Sequence, residues 1–372
     1  MENKIIVQKK FIKKIFSLLN IEVKKKDNYL NYTFFSKKKI KLDIVKDIFK
    51  FHKKVDQLYI TKNYPKEILM NETWKYWLKN YKKEQMDLIK QNKVIEFKNI
   101  LDIVFSNDFN FNKKQIHSKK GKYISSLHFN NIFHVFESVT NRKIEDLVDN
   151  NSWSKYGYLT KKGVVSSRDL LTGLQAHNIV LLINYINHEQ KKKNVTFLDL
   201  GCGTGATVEK VLYFTNDKEV SMNLILMDFP NRLSLAYAYL KKIFPKKRIF
   251  LVSQENQIRS TSKIKGEKIL LIPTIFYHQI LKNYQINILN NQASFSEMGY
   301  KSVRFYLNKF VNKNLDYLIE TNFNNKLYSN NLLGVSKHVF SRNFPIPNTH
   351  KLLISFAKVG GEKYVTNIYK RI

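Results

Sequence analysis

Apolar positions return along this chain in two different rhythms. Up to about residue 150 they recur every three or four places. Ile5, Ile12, Ile15, Phe16 and Leu19 form one such set, Trp74, Trp77, Leu78 and Tyr81 a second, and Ile95, Ile100 and Leu101 a third. That spacing gathers them on one face of a helix, so residues 1–150 are predicted to be a mainly helical N-terminal region. The texture changes from about Asn151. "NSWSKYGYLTKKGVVSSRD" carries turn signals around Gly157 and Gly163. "SSRDLLTGLQAHNIVLLINYI" then reads as a helix with Ser166 or Ser167 as its N-cap.

Beyond that helix, short apolar runs alternate with helical segments. "VTFLDLG" predicts a strand, "ATVEKVLYF" a helix, "NLILMDF" a strand and "NRLSLAYAYLKKIF" a helix. "RIFLVS", "KILLIP" and "INILNN" are further strands, "SEMGYKSVRFYLNKFV" one helix, and "LDYLIETNF" a strand. Strands separated by helices of this length imply parallel βαβ units in an open α/β sheet. The chain ends differently, with two strands around Gly360-Gly361, the signature of an antiparallel hairpin. The expected organisation is therefore two domains, residues 1–150 and 151–372.

Composition changes this picture in three places. Lys and Arg total 64 against 30 acids, a formal net charge of +34. That balance favours anionic partners. Lys dominates, however, and no Arg precedes Arg142, whereas nucleic-acid recognition leans on the bidentate guanidinium. Codon drift toward Lys, Asn and Ile explains most of the charge, and nucleic acid is disfavoured as a partner. The first predicted helix, Ile5 to Leu19, is basic and amphipathic. It suits peripheral contact with an anionic membrane, or packing on its own domain with a solvated lysine face. The "WKYWLKNY" stripe reads as core. No apolar run approaches the length of a membrane span, and Lys13 and Lys14 interrupt the N-terminal apolar residues, so a cytoplasmic protein is expected. Cys202 is the only cysteine, which leaves no internal disulfide and no cysteine-built zinc site.

The chemistry concentrates in "FLDLGCGTGA". Three of the twelve glycines, Gly201, Gly203 and Gly205, fall within five residues, between a predicted strand and a predicted helix. Such a loop lies at the carboxyl edge of a parallel sheet, where ligands bind. It satisfies the relaxed dinucleotide pattern G-x-G-x-x-G/A, which alone is weak. An acid stands two residues before the first glycine, at Asp199, and another ends the next strand, at Asp228. Dinucleotide sites also place an acid like Asp228 on the next strand, so the distinction rests on Asp199, the glycines at alternate positions and the C-terminal hairpin. A ligand carrying an ammonium and a sulfonium needs an acid near its amino-acid part, and Asp228 can accept hydrogen bonds from ribose hydroxyls.

"LDLGCGTG" resembles the first motif of the class I S-adenosylmethionine-dependent methyltransferases. "MDFPNRLSLAYAYLKKIFP", "KILLIP", "INILNNQASFSEM" and "LDYLIETN" resemble successive blocks of the sugar O-methyltransferases of bacterial polysaccharide gene clusters. The likeness covers roughly Asn151 to the C-terminus. It implies a Rossmann-like class I methyltransferase sheet with the C-terminal hairpin. It further implies S-adenosyl-L-methionine as cofactor and a sugar or glycan acceptor, carried on nucleotide or lipid. Asp199, Gly201, Cys202, Gly203, Gly205, Asp228, Phe229 and Pro273 would then surround the cofactor. Glu297 is the first candidate for the base, with His177 and His278 as alternatives. Asn290, Asn291 and Ser294 are candidates for binding acceptor hydroxyls. Magnesium assistance stays open, with no ligand cluster evident. The rivals are an RNA methyltransferase and a non-catalytic scaffold that keeps the fold.

Overall fold

The Lys-rich N-terminal stretch forms strands as well as helices. The computed structural model describes residues 21–26, 29–34, 40–69, 84, 87–109, 135–148, 155–165, 167–192, 194–215, 220–311, 315–324, 339–357 and 364–372. In it β1 (Ile21–Lys26) and β2 (Tyr29–Phe34) pair antiparallel. With β3 (Lys155–Leu159) and β4 (Val164–Val165) they make a four-stranded antiparallel sheet in the order β1-β2-β3-β4. Gly163 does form a turn, closed by a 2.7 Å bond from the Thr160 amide to its carbonyl. The apolar sets at Ile5–Leu19 and Trp74–Tyr81, Ser166 and the Gly360-Gly361 turn lie outside the described residues.

The chain divides into two compact units, and segments from both sides of residue 150 enter each division. One unit takes Met1–Ile40 and Asn99–Gln175; the other takes Lys41–Lys98 and Ala176–Ile372. The helix α1 (Leu42–Thr61) belongs to the second unit. Its Val45, Ile48, Phe49, His52, Val55 and Asp56 recur at helical spacing and are all buried. Phe49 meets Phe97 edge to face at 5.4 Å. Burying each such ring contributes about 1.5–3 kcal/mol. Phe97 lies on α2 (Val94–Phe109), where Ile100 and Leu101 are buried but Ile95 faces solvent.

The second unit is built on an eight-stranded sheet. After α3 (Ser167–Glu189) come β5 (Asn194–Leu200), α4 (Ala206–Thr215), β6 (Ser221–Asp228) and α5 (Pro230–Ile243). Then follow β7 (Ile249–Leu251), α6 (Glu255–Ser262), β8 (Lys268–Pro273) and α7 (Tyr277–Asn283). β9 (Ile288–Gln292), α8 (Ser294–Glu297), α9 (Tyr300–Val311) and β10 (Tyr317–Phe323) lead to the final pair, β11 (His350–Ala357) and β12 (Tyr364–Arg371). The order across the sheet is β11-β12-β10-β9-β5-β6-β8-β7. Strands β5 to β10 run parallel, while β12 and β11 add an antiparallel hairpin beside β10. The α/β sheet with a C-terminal hairpin is therefore present. Its central strands are buried on both faces, which is why they read as continuous apolar runs.

One predicted helix is two. "SEMGYKSVRFYLNKFV" breaks between α8 and α9, because Met298 is extended at ψ 154° and Gly299 follows it. Among the described residues, no helix is long and apolar enough to cross a membrane.

Candidate functional site

The strand order fixes where a site can form. From β5 the chain builds outward through β6, β7 and β8, then returns to place β9 on the other side of β5. Between β5 and β9 the winding reverses, and in such sheets the crevice at the strands' carboxyl ends takes the ligand. The glycine loop leaves β5 there, and the segment ending at Glu297 leaves β9 there.

The loop needs its glycines. Gly201, Gly203 and Gly205 have φ of 77°, 58° and 77°, in the left-handed region where a Cβ is penalised. At Gly201 an added Cβ would fall inside the Ser294 side chain. At Gly205 it would press on Leu226 and Leu240 at 3.1 and 3.2 Å. Cys202 is buried, and burial pushes its thiol well above the usual range, so it is a filler rather than a nucleophile.

Two buried acids flank the loop. Asp228 accepts from the Gly203 amide at 2.8 Å and from the Phe229 amide at 2.7 Å. Burial nevertheless raises its carboxyl to about 6, against the pull of those amides and of Arg232. Asp199 is 2% exposed, and Asn290, its partner in register on β9, donates to it at 2.7 Å. Burial raises Asp199 to about 7; Asn290 opposes that rise and Asp228 adds to it. Pro273 lies level with Asp228 on β8, and Phe229 is the half-buried N-cap of α5.

Glu297 joins this cluster. It is half-buried at the end of α8, and burial raises its carboxyl to about 7. The Arg232 guanidinium draws it down and Asp228 pushes it up, so the three groups share one electrostatic neighbourhood. Arg232, on the first turn of α5, was not singled out in the sequence, although it follows Asp228 by one helical turn.

The predicted acceptor-binding amides lie at the carboxyl end of β9. Asn290 and Asn291 are fully buried, and their side chains serve the fold. Asn290 holds Asp199, while Asn291 donates to the Leu200 carbonyl at 2.7 Å and accepts from the Phe295 amide at 2.8 Å. Only Ser294 of that group is partly exposed, packed over Gly201. His278 stands beyond β8, 3.6 Å from Glu255 and beside the Tyr277 ring. His177 is half-buried on α3.

Tyr59 and Ile68 meet the chain just past the carboxyl end of β8. The Thr274 hydroxyl, just past Pro273, donates to the Ile68 carbonyl at 3.2 Å, so the Tyr59 hydroxyl donates to Thr274 at 3.1 Å. Burial raises both Tyr59 and Tyr306 of α9, with Asp228 adding to each. No local pattern marks this tyrosine pair, because its members are 247 positions apart.

A second constellation looks catalytic and is not. Ser234 Oγ lies 2.8 Å from His52 Nε2, and His52 Nδ1 lies 3.2 Å from Asp56 Oδ2. Ser234 and His52 are each 1% exposed, and the serine hydroxyl donates to the Pro230 carbonyl at 3.0 Å. A nucleophile must meet a substrate, and this oxygen is sealed between α1 and α5. The three groups tie those helices together. Among the described residues, no three His, Cys, Asp or Glu side chains converge as metal ligands.

No family model matches the sequence, and no curated protein matches it. Among solved structures, the chain is similar to a pericyclic reaction enzyme at 12% identity and TM-score 0.33, over 65% of this chain and 63% of that one. It thus spans less than two thirds of that enzyme's length. It is also similar to magnesium protoporphyrin IX methyltransferase from Synechocystis PCC 6803 with bound S-adenosylmethionine, at 9% identity and TM-score 0.35, over 72% and 98%. A third is mitomycin 7-O-methyltransferase, at 10% identity and TM-score 0.30, over 55% and 57%. Likeness at this level concerns the course of the chain and leaves the reaction to be argued from its own residues.

Proposed function

We propose that this chain binds S-adenosylmethionine at the glycine loop and transfers a methyl group to a sugar hydroxyl. The observation that carries the reading is the pair of buried acids, Asp199 and Asp228, on either side of a loop whose glycines are left-handed. Asp199 suits an ammonium and disfavours a pyrophosphate, while Asp228 suits the ribose that either kind of ligand carries. Asp199 would hold the ammonium, Asp228 the ribose hydroxyls, and Pro273 with Phe229 the adenine. Bound there, the cofactor supplies an electrophilic methyl for in-line displacement by a hydroxyl oxygen.

Glu297 takes the hydroxyl proton. A carboxyl raised to about 7 is half ionised near neutral pH, close to what a general base needs. Arg232 steadies the carboxylate before the proton arrives. Asn290 and Asn291 contribute by holding Asp199 and the loop. The sugar rests on the sequence resemblance around "NNQASFSEM", and the net charge of +34 keeps RNA as the rival acceptor.

Incubation with methyl-labelled cofactor, nucleotide-linked sugars and RNA tests both. Label is expected on a sugar hydroxyl, and Glu297→Gln should slow the transfer by about 10²–10⁴-fold. Label on RNA alone would overturn the sugar assignment.

A further inference from the structure

The turn that carries Glu297 is bolted to the glycine loop by buried side-chain amides. Ala293 begins it at φ 65°, a conformation disfavoured for any residue with a Cβ. Something must hold it there. Asn291 does so from both ends, because its Nδ2 grips the Leu200 carbonyl just before Gly201 and its Oδ1 receives the Phe295 amide. Asn322 on β10 adds a second brace. Its Oδ1 accepts from the Ser296 amide at 3.1 Å, and its Nδ2 donates to Asn291 Oδ1 at 3.2 Å and to Glu320 at 3.0 Å. Ser296 Oγ in turn receives the Phe323 amide at 3.0 Å.

The polarity of the network is fixed from its far end. Glu320 is fully buried and accepts from Asn322, from Asn367 at 2.6 Å and from the Ser341 hydroxyl. With an acceptor there, Asn322 must present its NH₂ toward Glu320 and Asn291, and Asn291 must then present its NH₂ toward Leu200. Each amide has one orientation that satisfies every partner. On the other side Ser294 rests where a Gly201 Cβ would be, so loop and turn touch directly.

We propose that Asn291 is a positioning residue that couples the cofactor loop to Glu297, with Asn322 orienting it. This inference rests on the methyl-transfer reading above. Glu297 faces the bound cofactor from a turn that Asn291 ties to the loop and Asn322 ties to β10. Loosening the joint then disconnects the two.

A double-mutant cycle on the full-length chain tests this, read by calorimetric titration with S-adenosylmethionine. In the wild type, Glu297→Gln removes a charge facing the cationic cofactor and should weaken binding at least about twofold. Asn291→Asp keeps the shape and the acceptor but sets a carboxylate oxygen against the Leu200 carbonyl. In that background Glu297→Gln should change affinity by much less, a coupling of the size seen between residues in one network. Equal effects of Glu297→Gln in both backgrounds would overturn the coupling while leaving the methyl-transfer reading intact. A folded wild type that binds no cofactor would overturn both. Should Asn291→Asp fail to fold, Asn291→Ser removes the bond to the Leu200 carbonyl without adding charge. It should likewise mute the effect of Glu297→Gln, and an unmuted effect overturns the proposal.

Discussion

The glycine loop and the Glu297 turn solve the same problem in opposite ways. Each follows a parallel strand, reverses the chain at the carboxyl edge of the sheet, and requires left-handed backbone. The loop does it with three glycines at φ 58° to 77°, leaving short backbone free to approach a ligand. The turn does it with Ala293 and holds the strain with Asn291, Asn322 and Ser296. Backbone freedom suits a surface that must mould to a cofactor. Side-chain bracing suits a carboxyl that must stay in one place.

Exchanging the residue types should break this contrast most sharply at the loop. Gly201→Ala meets both a positive φ and the Ser294 side chain, and should destabilise the protein by about 3 kcal/mol. Denaturant unfolding would measure it, with cofactor binding lost alongside. A loss under about 1 kcal/mol would mean that the loop tolerates a Cβ and its close approach to Ser294 has no consequence.

The acids of the loop give the next effect. Asp199 and Asp228 are raised from 3.8 to about 7 and about 6. Well below pH 3.8 they are neutral in folded and unfolded chains alike. As pH climbs toward 7 the unfolded chain ionises first, so the folded state loses stability across that window. Cofactor-free protein should therefore be more stable at pH 5 than at pH 8, and Asp199→Asn should remove a share of order 2 kcal/mol. S-adenosylmethionine should bind more tightly as pH rises through 6–7, since only the ionised acids meet its cation. Unfolding curves and titrations at several pH values check both, and a slope unchanged in Asp199→Asn would remove that acid from the account.

The smallest effect probes the turn. Ala293→Gly relieves the left-handed strain and should stabilise the fold by about 0.5–1 kcal/mol, less whatever glycine adds to the unfolded chain's entropy. A clear destabilisation in thermal unfolding would show that Ala293 does more than tolerate its φ.

The loop could be read in the sequence because glycines, a strand and an acid sit within one short stretch. The alternation of apolar runs and helices in the second half was legible for the same reason, as each element states its own period. The turn was not. Its geometry depends on Asn291 meeting Leu200 and Asn322, partners 91 and 31 positions away. Reading Asn290 and Asn291 as acceptor ligands followed from their polarity, whereas burial assigns them to the frame. The small sheet stayed hidden because β1 and β2 are masked by lysines and asparagines, and because β3 joins them from more than 120 residues onward. Tyr59 has an ordinary local context, and only the folded chain brings it toward Asp228.

Asp199 is the group that separates a cationic methyl donor from a dinucleotide at this loop, since Asp228 can meet the ribose of either. Parallel calorimetric titrations of the folded wild-type chain with S-adenosylmethionine and with a nicotinamide dinucleotide test it most directly. Saturable binding of S-adenosylmethionine is expected, weakened about tenfold or more in Asp228→Asn, with no binding of the dinucleotide. Binding of the dinucleotide alone would contradict it.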